Sequence, residues 1–227
     1  MKKVLKKSFL ATLPVLTGYL VLGFGFGIIL KANGYGTLWA FVMSFVIYAG
    51  SMQYVAIGLL TSGASLITAA LTTLMVNARH LFYGISMLDR YKNVGVVKPY
   101  LIFALTDETY SLVCNDNLNM SERERRGYYL FVSLFNHMYW VVGSVLGAFI
   151  GSLVKFNTEG IDFALTALFV TVFIDQWLTG KKYAPAIIGV AVSVLCLVLF
   201  GSESFLIPAM LLISLLLCLC KEGSDNE

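Results

Sequence analysis

The chain has 227 residues, of which 58% are hydrophobic and only 13% charged. A soluble domain carries about a quarter charged residues, so roughly half of the usual charge is missing, and the mean hydropathy is +0.80. These values exclude a soluble globule and point to the lipid bilayer. The net charge of +3 is too small to suggest a nucleic-acid partner.

Apolar runs approaching the ~20 residues of a membrane span recur along the chain. They are continuous rather than alternating, which excludes a transmembrane barrel. The expected fold is all-α: a polytopic transmembrane helical bundle of about seven or eight membrane segments. It forms one integral membrane domain over residues 1–227, with no soluble module.

"MKKVLKKSF" opens the chain and leads into a first helix over about residues 9–30. No small-residue cleavage site follows it, so it reads as an uncleaved span ending in the turn "ILKANGYG". A second helix is expected over about 38–60. Its "YAGSMQY" places Ala49, Gly50 and Ser51 at mid-span, followed by Gln53. Those small residues suit either close helix packing or local unwinding, and an unwound helix offers free N–H groups to a carboxylate.

A third apolar stretch, about 64–88, is interrupted by Asn77, Arg79 and His80. Arg79 keeps its charge, so burial requires a carboxylate, a carbonyl cluster or an anionic ligand. Otherwise it must snorkel to the interface. His80 titrates near neutral pH. The fourth stretch, about 99–114, is short and holds "TDETYS" with Asp107 and Glu108. Adjacent helical residues point about 100° apart, so one carboxylate can meet Arg79 while the other faces a cavity.

Further spans are expected at about 128–151, 162–178, 184–201 and 204–220. "LFNHMYWVVG" carries Asn136, His137 and Trp140, with Trp140 read as an aromatic belt residue. Gly143, Gly147 and Gly151 recur every fourth residue, which suits internal packing or a docking face for a partner subunit. Asp175 lies beside cytoplasmic lysines and reads as interfacial.

Lysine and arginine set the orientation. "KKVLKK", "SERERRG" and "GKKY" belong inside, which places both termini in the cytoplasm. The basic loop "DRYKNVGVVK", residues 89–98, falls outside if residues 64–88 form one straight span. It returns inside if both 64–88 and 99–114 re-enter, as irregular backbone does where protein or water shields it.

The four cysteines and two histidines show no metal-ligand spacing, so no metal site is expected. The chain has no GxxxxGK[ST], HExxH or GxSxG, and no cofactor or catalytic residue is expected.

Three stretches resemble the AzlC family, the large membrane subunit of bacterial branched-chain amino acid exporters. They are "YAGSMQYVAIGLLTSGAS" (48–65), "LTTLMVNARHLFYGIS" (71–86) and "TDETY" (106–110), in this order and spacing. The resemblance covers nearly the whole chain and is less specific in its later part. It implies a non-enzymatic transporter in the bacterial cell membrane that exports hydrophobic amino acids such as valine, leucine and isoleucine. It also implies a small multi-spanning AzlD-type partner subunit. Two other classes stay open: the membrane component of an ATP-driven permease, and an intramembrane enzyme.

With that substrate, the polar residues acquire roles. The amino acid's carboxylate meets Arg79 or the N–H groups at Gly50 and Ser51. Its ammonium meets Asp107 or Glu108. Asn77 and Gln53 supply neutral hydrogen bonds, and Tyr54, Phe82 and Tyr83 line an apolar pocket. His80 and Glu108 are the candidates for carrying a coupled proton.

Overall fold

The computed structural model describes residues 2–114, 120–153, 170, 173–174, 177, 183–205, 208–209, 211–213 and 215–217. They fall into two units, Met1–Leu165 and Thr166–Glu227. Among the described residues, Lys2–Ala32, Glu122–Leu153 and Ala184–Gly201 are long and apolar enough to cross a membrane.

The first unit is organised around α1 (Lys2–Ala32) and α8 (Glu122–Leu153). They run parallel: Gly127 packs on Val4, Gly143 on Tyr19 and Leu20, Gly147 on Phe24, and Gly151 on Ile28. At the crossing, backbone meets backbone. A β-carbon on Gly147 would fall on the Phe24 carbonyl, and one on Gly27 would fall on the Ser144 carbonyl. Lipid supplies no hydrophobic drive between helices, so this close approach is what gains dispersion contact. The glycine row therefore faces α1 inside the chain and is not a dock for a partner subunit.

The second apolar run is not one helix. It forms α2 (Thr37–Val46) and α3 (Gly50–Thr61), with Tyr48 at φ 46° between them. Gln53 Nε2 donates to Ser44 Oγ at 3.2 Å, whereas nine residues of straight helix would separate them by about 13 Å. The run therefore doubles back. Its tip reaches the middle of α8, where Gly50 lies under Trp140. α3 then climbs again, since the Tyr54 hydroxyl donates to the Leu22 carbonyl at 2.6 Å and its ring meets Phe26.

The third run crosses the unit as α4 (Leu66–Asn77) and α5 (Arg79–Met87). Ala78 separates them with right-handed helical angles, φ −54° and ψ −32°, so the chain does not reverse there. The fourth run is a second hairpin: α6 (Lys98–Phe103), a bend at Ala104–Thr106, and α7 (Asp107–Val113). Tyr100 contacts His137 on the way up. On the way down, Thr109 meets Asn136, and the Val113 carbonyl accepts from Arg90 at 3.5 Å.

This arrangement resolves the basic loop. Gly95 packs against the Arg126 guanidinium, and Tyr91 meets Tyr129 edge-on. Residues 89–97 thus share one end of the unit with the lysine-rich N-terminus and the start of α8. The straight-span scheme misplaced them because it counted residues 38–60 as a crossing; they return to the end they left. The order in the first unit is the long helix α1, a hairpin from the far end, the α4–α5 crossing, a hairpin from the basic end, and the long helix α8.

In the second unit, α9 (Ala184–Ser204) starts with Pro185 in its first turn, where proline's missing N–H costs nothing. It bends at Gly201, whose φ of 74° suits glycine. Val192, Cys196 and Ala209 form a small buried cluster. Asp175, Cys218 and Cys220 lie outside the described residues, as do most of the span expected at 162–178 and part of that expected at 204–220.

Gly147→Ala should lower the thermal stability of detergent-solubilised protein by roughly 1–3 kcal/mol, an overpacking cost. Gly151→Ala, whose β-carbon would meet Ile28 at an ordinary 3.5 Å, should stay within about 0.5 kcal/mol. Melting curves followed by gel filtration compare the two.

Candidate functional site

Three helix interruptions meet at one place. α3 begins at Gly50 after an uncapped turn, so the first N–H groups at Gly50 and Ser51 have no intrahelical partner. α5 begins at Arg79 directly after the break at Ala78. α7 begins at Asp107, with the Thr106 hydroxyl capping it by accepting from the Thr109 N–H. Arg79 Nη2 joins all three: it donates to Ser51 Oγ at 3.0 Å and lies 3.0 Å from Asp107 Oδ2. The pair is one-third exposed, with relative side-chain areas of 35% and 33%.

The adjacent carboxylates separate as the helical angle requires. Asp107 pairs with Arg79. Glu108 turns toward α1, where the Tyr19 hydroxyl donates to its Oε2 at 2.5 Å and lies 2.8 Å from Thr106 Oγ1. Glu108 is therefore engaged by protein rather than left facing a cavity. Tyr48, buried at the tip of the first hairpin, adjoins this group.

Asn77 and His80 flank the break. The Asn77 carbonyl can only accept, so the 3.1 Å contact with His80 Nδ1 requires the proton on that nitrogen. Asn77 Oδ1 and Asp107 Oδ1 are buried acceptors with no hydrogen bond among the described residues. Gln53, fully buried, faces away from Arg79: its Oε1 accepts from Trp140 Nε1 at 2.8 Å.

Of the residues singled out from the sequence, Ser51, Arg79 and Asp107 are in direct contact. Asn77, His80, Gly50 and Glu108 border them. Gln53 belongs to the packing behind the hairpin tip. The expected apolar lining is only partly present, because Tyr54 faces α1 and Phe82 is 57% exposed on the outward side. Tyr83 alone remains beside Asp107, stacked on Tyr110 with centroids 4.6 Å apart. Trp140 is no belt residue: it is 4% exposed and stands at the centre of the unit.

Tyr19 and Ser44 gave no signal in the sequence as members of this group, whereas Thr106 and Thr109 stood in "TDETYS" and Asn136 in "LFNHMYWVVG". A glutamine within the apolar run of "YAGSMQY" and a tryptophan in "NHMYW" were the available hints, since both need partners when desolvated. Among the described residues no group of three His, Cys, Asp or Glu side chains could hold a metal.

A bundle of apolar helices, interrupted at mid-depth around a guanidinium–carboxylate pair, defines an integral helical membrane protein. Residues 14–154 match the AzlC protein family, and the chain belongs to it. It is 47% identical over 209 residues to the branched-chain amino acid transport protein AzlC of Bacillus subtilis strain 168, covering 92% of this chain and 82% of that protein. A membrane protein of Helicobacter pylori J99 is 41% identical over 97% of this chain and 96% of its own length. The inner membrane protein YgaZ of Escherichia coli K12 is 28% identical over 87% and 88%. No solved structure matches the chain.

Breaking the Arg79–Asp107 pair from one side strands the other charge. Arg79→Ala and Asp107→Asn should each destabilise the purified protein. The double variant should recover part of the loss, with a coupling of about 1–3 kcal/mol for a half-buried pair. Additive losses in a thermal double-mutant cycle would show that the pair contributes nothing.

Proposed function

We propose that this chain is the large subunit of a secondary transporter that exports branched-chain amino acids across the bacterial cell membrane. The observation that carries the reading is Arg79, held between Ser51 and Asp107 where three helices break, in a chain so similar to a branched-chain amino acid transport protein.

A zwitterionic amino acid carries the charges of that ion pair in complementary order. Its carboxylate replaces Asp107 at the Arg79 guanidinium and takes further hydrogen bonds from Ser51 and the free N–H groups of the α3 N-terminus. Its ammonium then donates to the released Asp107, whose Oδ1 is already a buried acceptor lacking a partner, and to Asn77 Oδ1. Charge stays balanced throughout, so no isolated ion is left at mid-membrane, where one costs at least ~2.5–3.5 kcal/mol. Tyr83 covers one side of the side-chain space.

The basic end faces the cytoplasm, which puts the N-terminus and the 89–98 loop inside and the first hairpin's ends outside. A small AzlD-type membrane subunit completes the carrier. Proton flux supplies the energy, with Glu108 on its Tyr19 hydroxyl as carrier and His80, beside the ion pair, as the alternative.

Cells or vesicles loaded with radiolabelled valine test the reading, with this chain alone and with its small partner. Arg79→Ala should abolish efflux at normal membrane levels, and unchanged efflux would remove Arg79 from the mechanism. The matching α-keto acid and the matching amine, each lacking one charge, should compete at least about tenfold more weakly than valine. An imposed pH gradient should change the wild-type rate, and identical rates with and without it would end the proton-coupled version.

A further inference from the structure

The transport reading leaves one motif unused: "NHMYW" on α8, which touches both hairpins. Trp140 Nε1 donates to Gln53 Oε1 at 2.8 Å, Gln53 Nε2 donates onward to Ser44, and the indole ring lies against Gly50. This group binds the first hairpin. One turn lower, on the same helical face, Asn136 Nδ2 donates to Thr109 Oγ1 at 3.0 Å, and Thr109 also accepts from Thr106 at 3.1 Å. This group binds the second. Gln53, Thr109, Asn136 and Trp140 are all buried.

The two attachments have the same register. Gln53 stands two residues after Ser51, and Thr109 two after Asp107. The next residue is a tyrosine in both hairpins: Tyr54 packs on Phe26 of α1, and Tyr110 on Tyr83 of α5. Each hairpin thus offers one residue to Arg79, one to α8 and one aromatic ring to the span before it. The hairpins descend from opposite ends, so span-plus-hairpin is repeated with inverted direction, a plan common to transporters that open alternately to two sides.

We infer that Trp140 and Asn136 are positioning residues, each holding one hairpin tip at Arg79, so that the two hairpins are released separately as opposite gates. Each acts through the hairpin residue it holds, Gln53 or Thr109. His137 lies between them, its ring 4.3 Å from Tyr48 of the first hairpin and its Nδ1 3.2 Å from the Tyr100 hydroxyl of the second. The inference rests on the transport reading for its purpose, but its test needs neither substrate nor flux.

The test uses the full chain in oriented membrane vesicles with Cys114, Cys196, Cys218 and Cys220 replaced by serine. A single reporter cysteine is placed at Ala49, by the first tip, or at Leu105, by the second. Labelling by a membrane-impermeant maleimide is then measured from each face. Trp140→Phe should raise labelling at position 49 from the face bearing the ends of the first hairpin and leave position 105 unchanged. Asn136→Ala should do the reverse, at position 105 from the basic face. The expected rise is about three- to twentyfold, the population shift one hydrogen bond in a membrane bundle can hold. Gln53→Leu and Thr109→Val remove these bonds from the hairpin side, together with Gln53–Ser44 and Thr106–Thr109, with α8 intact, and should give the same two side-specific patterns. A general loosening of the bundle would expose both reporters together, and that result overturns the proposal, as does no change at either. Absent valine efflux with side-specific labelling would instead count against the substrate and leave the gates standing.

Discussion

A guanidinium keeps its proton under any condition a cell offers, so a chain that carries Arg79 to mid-membrane must bring acceptors there. Backbone carbonyls inside a helix are consumed by the i→i−4 ladder, and the acceptors here are side chains, Ser51 Oγ and Asp107 Oδ2. Those partners come together where three apolar runs are interrupted. Ser51 and Asp107 sit in the first turns of α3 and α7, and Arg79 in the first turn of α5. Arg79 thus ties the start of α5 to one residue from each hairpin, Ser51 and Asp107.

Interrupted helices need a rigid neighbour, since each break leaves unpaired backbone groups and short segments of marginal stability. The α1–α8 pair is that neighbour. Its glycines remove the side-chain layer between two long helices, so α8 stands close against α1 and turns Asn136, His137 and Trp140 toward the hairpins. Packing and polar attachment are therefore one arrangement: the glycines, Asn136 and Trp140 share one face of α8, and Trp140 touches both α1, at Tyr19 and Phe26, and the first hairpin, at Gly50 and Gln53.

The charged pair is one-third exposed and stands beside a group of buried polar side chains. Its geometry is fixed by hydrogen bonds that do not depend on the charges, through Trp140, Gln53, Asn136 and Thr109. In the proposed cycle the partners exchange while these bonds hold the tips. In the proposed cycle this separates two tasks: Arg79 and Asp107 handle the ligand's charges, and α8 holds the hairpins in reach.

Much of this protein was readable from composition and local pattern. Continuous apolar runs determined an all-helical membrane fold, because lipid leaves backbone polar groups no partner but each other. The cost of burying charge singled out Arg79 and Asp107, and the small residues of "YAGSMQY" marked a weak point beside Ser51. Tertiary structure decided the rest. A fold-back at Tyr48 depends on Gln53 finding Ser44 and Trp140, and Trp140 is 87 residues from Gln53 in sequence. A run of apolar residues has the same hydropathy whether it crosses or returns, so the path of residues 38–60, and with it the side on which the 89–98 loop lies, could only come from contacts between distant segments.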